Sequence, residues 1–169
     1  MYTRLSDGTA VLVRPILASD KQMLADGVSR LSVESRYRRF LSPKPSLSAA
    51  ELRYLTEVDG RDHYALVAQL ADDPASIVAV ARFVRLPSDR TTAEAAIVVC
   101  DALQRRRLGT QLARVLGDAA RRRGIRRFVA SVLSDNPAAM RLMRTLATRL
   151  EDGAHDNGVH EVTMEIAAA

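Results

Sequence analysis

The chain has one cysteine, no tryptophan and almost no lysine among its 169 residues. A single thiol, Cys100, excludes an internal disulfide framework and fits a reducing compartment. Aromatic residues make up 4% of the chain, too few for the stacking platforms that single-stranded nucleic acid needs. No apolar run approaches the ~18 residues of a membrane-spanning helix. Met1 to Gly8 holds no apolar signal core. These absences lead us to expect a cytoplasmic protein that does not enter a membrane. With histidines at 63, 155 and 160 and one cysteine, no Cys/His cluster has the spacing of a structural zinc, so no metal is expected.

What is present is globular: 47% apolar and 27% charged residues. The length suggests one domain over 1–169. The formal net charge is +5, and of the 25 basic residues only Lys21 and Lys44 are lysines. Guanidinium groups form planar, two-pronged pairs with phosphate and carboxylate. Nucleic acid, an acidic protein and a phosphorylated cofactor are the partner classes this charge admits.

Periodicity then orders the chain. Ala10–Ile16 alternates as a strand after the turn signal Asp7-Gly8. Ser19 is expected to cap a helix over about Asp20–Leu31, and Ser32 a short helix ending at Phe40. Pro43 and Pro45 interrupt, and Ser48 with Glu51 has capping-box spacing for a third helix to about Glu57. Strands follow at His63–Leu70, Ile77–Leu86 and Thr92–Cys100. Leu108, Leu112, Val115, Leu116 and Ala119 form the apolar stripe of a helix over about Gly109–Arg123, with Gly124 as its stop. Phe128–Leu133 reads as a buried strand, and Pro137 opens a helix to about Thr148. Asp156-Asn157-Gly158 turns the chain into a last strand, Val159–Ile166, closing a terminal hairpin. The order predicts a mixed α/β layer fold.

One segment breaks a local rule. Arg105, Arg106 and Arg107 crowd the start of the long helix, where aligned peptide dipoles already place about half a positive charge. Each cation there is unfavourable by ~0.3–1 kcal/mol, and Asp101 is the carboxylate nearest in sequence. A bound polyanion resolves the conflict through backbone N–H groups and guanidinium forks. A solvated run screened by salt is the alternative. The second basic run, Arg121 to Arg123 with Arg126 and Arg127, lies at a helix C-terminus, where cations complement the dipole. This makes nucleic acid the weaker partner.

The strand, the turn Gln104-Arg105-Arg106-Arg107-Leu108-Gly109-Thr110, the helix, the next strand and Asn136 together resemble the GNAT superfamily of acyl-CoA-dependent N-acetyltransferases. That family's phosphate loop follows Gln/Arg-x-x-Gly-x-Gly/Ala. Gln104 matches its first position and Gly109 its second glycine, while Arg107 stands where the first glycine usually lies. The segments Leu5 to Gly8, Val13 to Ile16, Leu31 to Phe40 and Thr56 to Asp59 before Ala65 to Ala68 are similar to the acetyltransferase domain of bacterial protein-lysine acetyltransferases of the Pat type. Such enzymes often carry a further regulatory domain, for which this chain offers no room.

The resemblance implies a GNAT-like, mixed, largely antiparallel central sheet flanked by helices. It implies acetyl-CoA as acyl donor, held by Ile97, Val98 and Val99 and by Gln104, Arg105, Arg106, Arg107, Leu108, Gly109 and Thr110, with Asn136 near it. Asn136 also suits a helix N-cap. The acceptor is a primary amine, on a protein lysine or a small molecule. An ammonium must lose a proton before it attacks a thioester. Glu94, a charge in the apolar strand Ala93 to Val99, is the candidate general base, with burial expected to raise its pKa; a glutamate facing water at a frayed strand end is the alternative. Many family members place a tyrosine acid seven residues after the asparagine; here that position is Met143. His63 beside Asp62 is a candidate proton carrier or a surface histidine, and Cys100 a small buried residue rather than a nucleophile. Arg36, Arg38 and Arg39 either attract an acidic acceptor surface or form a solvated face. A non-catalytic acyl-CoA-binding module and a basic nucleic-acid-binding module are the competing readings.

Overall fold

The computed structural model describes residues 1–166, in which eight strands form one sheet ordered β1-β2-β3-β4-β5-β6-β8-β7. The strands are β1 (Tyr2–Arg4), β2 (Ala10–Pro15), β3 (His63–Leu70), β4 (Ile77–Leu86), β5 (Asp89–Val99), β6 (Arg127–Leu133), β7 (Ala147–Asp156) and β8 (Val159–Ile166). All neighbouring pairs are antiparallel except β5 and β6. The helices are α1 (Lys21–Ser29), α2 (Val33–Phe40), α3 (Ala49–Thr56), α4 (Leu108–Arg121) and α5 (Pro137–Leu146).

The expected mixed, largely antiparallel fold is present, and the differences are local. β1 was not anticipated; three residues carry too little alternation to signal a strand. α5 stops at Leu146, and Ala147 already begins β7. Ser19 does not cap α1. Instead Asp20, 1% exposed, accepts the Leu17 N–H at 2.8 Å and a two-pronged pair from Arg14 at 2.7 and 2.9 Å. The Ser48–Glu51 capping box forms as its spacing implies.

The sheet is buried on both faces, which is why β3 and β4 read as nearly continuous apolar runs. Leu66, Ala79, Ala81, Phe83 and Ala93 pack with Leu108, Leu112, Leu116 and Ala120 of α4. Ala65, Val67 and Val80 pack with Ile16, Leu24 and Val28 on the other face. The alternation of β3 thus feeds two separate cores.

Candidate active site

The site begins where two strands part. β5 and β6 pair in parallel at only three positions, Thr92–Arg127, Ala93–Phe128 and Glu94–Val129. Beyond Glu94 they separate, because β6 continues in register with β8 while β5 continues along β4. A cavity of about 460 Å³ fills the split, lined by Ala95 and Ile97 on one side and Phe128 and Ala130 on the other. Among the described residues the β5 edge from Ala95 onward has no strand partner on this side, which leaves its peptide groups open to a ligand. A groove of about 390 Å³ continues along Ile97, Val98 and Val99 to the arginine turn, and Arg38, Arg39, Ile97 and Asn136 line both spaces.

The turn is held from below. Gln104 donates to the Val99 carbonyl at 3.2 Å and to the Ser35 hydroxyl at 3.1 Å. Arg105 and Arg107 have φ of 61° and 67°, the left-handed region that glycine adopts most easily. Arg107, at the position of the family's first glycine, therefore keeps a glycine-like backbone and adds a guanidinium. The expected donor-binding residues line the groove with two exceptions. Arg106 leaves it to pair with Asp7. Leu108 is fully buried in the core under α4, so only its backbone faces the turn. Asp101 does not answer the arginines either: it accepts from the Ser32 N–H at 2.9 Å and from the Ser32 and Ser35 hydroxyls at 2.8 and 2.7 Å. Asn136 caps α5, accepting from the Ala139 N–H at 3.1 Å.

Glu94 stands at the apex of the split, at the last paired position, but it is exposed. The burial expected for it is absent: the flanking Ala93 and Ala95 turn toward the core, and Glu94 turns to the other face. Register places Glu94 on the same sheet face as Arg82, which lies opposite Ala96. Arg39, on α2, carries its charge within electrostatic reach of both Glu94 and Arg82. Burial, with the Arg39 charge adding to it, pushes Arg82 down to about 9. Arg82 donates to the Leu55 carbonyl at 2.9 Å and faces His63 Nε2 at 3.1 Å. Because arginine only donates, Nε2 accepts and the imidazole proton sits on Nδ1. Burial, then Arg82, lowers the His63 pKa. His63, the first residue of β3, is half-buried and packs at a tilt against Tyr54, with ring centroids 4.8 Å apart. Sequence reasoning passed over Arg82, although a charge inside the apolar run Ile77–Leu86 is the same signal that singled out Glu94.

The other candidates have settled roles. Met143 is 7% exposed within the core, and it brings no acid to the site. Burial pushes the Cys100 thiol up, the opposite of nucleophile activation. Arg38 pairs with Glu34 at 2.6 Å and donates to the Asp135 carbonyl, and Arg36 donates to the Pro45 carbonyl. In the second basic run, Arg121 pairs with Asp118, and Arg123 caps the Ala119 carbonyl at 2.7 Å while lying over the Tyr64 ring. Arg127 pairs with Asp89 at 2.8 Å.

The sequence model of the acetyltransferase (GNAT) family matches residues 31–147, from the end of α1 through the split strands and the arginine turn to the end of α5. The chain belongs to this family. Among GNAT proteins it is 40% identical to Acetyltransferase Pat of Mycolicibacterium smegmatis over 101 residues, which is 59% of this chain and 29% of that protein. The chain therefore matches less than a third of that relative's length. The crystal structure of the GNAT domain of S. lividans PAT superposes with a TM-score of 0.88 at 29% identity, over 98% of this chain and 96% of that one. A cAMP-binding acyltransferase from Mycobacterium smegmatis superposes with a TM-score of 0.68 at 31% identity, over 99% of this chain and 47% of that one.

Proposed function

We propose that this GNAT chain transfers the acetyl group of acetyl-CoA to a primary amine. The observation that carries the reading is the parting of β5 from β6 beyond Glu94, where a cavity lined by Ala95 and Ile97 adjoins a groove that runs to the arginine turn. The open β5 edge suits the amide groups of a pantetheine arm. The turn, with Arg105, Arg107 and the N-terminus of α4, suits the diphosphate. Asn136 borders the groove between them.

Glu94 acts as general base. An amine bound at the apex of the split gives its proton to the Glu94 carboxylate, directly or through a water, and its lone pair attacks the thioester carbon. The carbon–sulfur bond breaks, and the thiolate leaves without a side-chain acid, since Met143 occupies the position of the family's tyrosine. The resemblance to Pat-type enzymes makes a protein lysine the first acceptor to test.

The test is acetyl transfer from labelled acetyl-CoA to lysine-bearing proteins, with Glu94→Gln beside the parent chain. We expect the variant to lose at least about a hundredfold in turnover while its coenzyme A affinity is kept. Unchanged turnover at neutral pH removes Glu94 from the reaction. Binding of coenzyme A with no transfer to any amine would favour a non-catalytic acyl-CoA-binding module, the reading that the apolar Met143 supports.

A further inference from the structure

The β7–β8 hairpin brings together two histidines and an aspartate that look unrelated along the chain. We propose that Asp152, His155 and His160 form a site for a divalent transition metal, with zinc the best chemical match. This inference is independent of the transferase reading.

The two-residue turn Asn157-Gly158 sets the geometry. Its φ values of 48° and 78° are those of a type I′ hairpin turn, which the Asn-Gly pair favours. That turn fixes the register, so His155 lies directly opposite His160, with ring centroids 3.8 Å apart. The Gly158 carbonyl accepts from both the Ser134 N–H and its hydroxyl at 2.9 Å, which ties the hairpin tip to the end of β6.

Asp152 joins the pair only because the strand is irregular. Regular alternation would put residues three apart on opposite faces. Between Asp152 and His155 the register shifts: three steps on β7 match two on β8, since Asp152 pairs with Val162 and His155 with His160. The extra residue returns Asp152 to the face of both histidines. Gly153 permits this close approach, because a Cβ there would stand 2.9 Å from the Glu161 carbonyl oxygen.

The separations from the aspartate to each histidine have metal dimensions. Asp152 Oδ1 is 3.6 Å from His155 Nε2 and 3.5 Å from His160 Nδ1. Two ligands on one tetrahedral zinc, each about 2.0–2.2 Å from the ion, lie about 3.3–3.6 Å apart. One ligand atom from each of the three residues lies within 4.8 Å of the others. Two imidazoles and a carboxylate suit zinc and its first-row neighbours rather than calcium or magnesium. The three side chains have no hydrogen-bonding or ionic partners among the described residues except one another. Asp152 and His155 are exposed and His160 is half-buried, which leaves an ion a way in.

The experiment is equilibrium dialysis of the full chain, stripped by chelator, against zinc ion. Cobalt(II) absorption serves as a second readout of tetrahedral coordination. We expect about one zinc per chain. His155→Gln, His160→Gln and Asp152→Asn should each weaken binding by about tenfold or more, with His63→Gln unchanged. Less than one zinc per chain in the parent, or binding that survives the double substitution of His155 and His160, overturns the proposal. Uptake lost with His63→Gln instead would place the metal elsewhere and overturn it equally.

Discussion

Arg107 holds a φ of 67° without being glycine. The left-handed region costs an L-residue about 1–2 kcal/mol, and the chain accepts this at the mouth of the groove. Replacing the residue separates its backbone role from its charge. Arg107→Gly should raise stability by about 1 kcal/mol, read from the urea midpoint. It should also weaken coenzyme A binding by about tenfold, the scale of one lost charge-assisted hydrogen bond. Stability gained with affinity unchanged would leave Arg107 a backbone role only. Glu94 shows the reverse limit of residue-scale reading. Its oddity in an apolar strand was visible in the sequence, but its exposure follows from the register of two neighbouring strands.

α2 depends on a residue far along the chain. Ser32 caps it, accepting from the Ser35 N–H at 3.1 Å, and Asp101 grips both serines from the loop after β5. A negative charge at a helix N-terminus is favourable. Asp101 therefore anchors the helix that carries Arg38 and Arg39 to the groove. Burial pushes the Asp101 carboxyl up, but the Ser32 and Ser35 hydrogen bonds outweigh it and hold it below the usual aspartate value. A carboxylate shifted in this direction stabilises the fold above about pH 3.8 and loses that contribution as pH falls through its lower folded value. Asp101→Ala should cost about 1 kcal/mol at neutral pH and reduce the acid sensitivity of unfolding, measured by thermal melts from pH 7 to pH 3. An unchanged melting curve across that range would show that α2 needs no such anchor. Most elements were legible because caps and apolar stripes are local signals: Ser48 with Glu51, the α4 stripe, Asn157 with Gly158. β1 and the start of β7 were not, since their pairing partners supply the order that their own sequences lack.

The whole molecule divides its apolar residues between two cores on opposite faces of one sheet, and the split between β5 and β6 interrupts that sheet near its middle. A ligand wedged there binds only the folded chain, so it stabilises the entire unit. Coenzyme A at a hundred times its dissociation constant should add about 2.7 kcal/mol to unfolding stability. Duplex DNA at matched charge should add nothing comparable, because Arg106, Arg121, Arg123 and Arg127 are engaged within the fold. A transition shifted by DNA and not by coenzyme A would reverse the assignment of the arginine turn.

The sequence by itself determined the order of elements apart from β1, the family, and the concentration of positive charge at one helix start. Those depend on periodicity, capping and spacing, which act over a few residues. Only the tertiary structure decided which arginines face the groove, that Asp101 serves α2 rather than them, that Glu94 is exposed, and that two histidines and an aspartate converge on one hairpin face. Each of these depends on strand register or on contacts between distant segments, and a one-residue shift in pairing moves a side chain to the other face of the sheet.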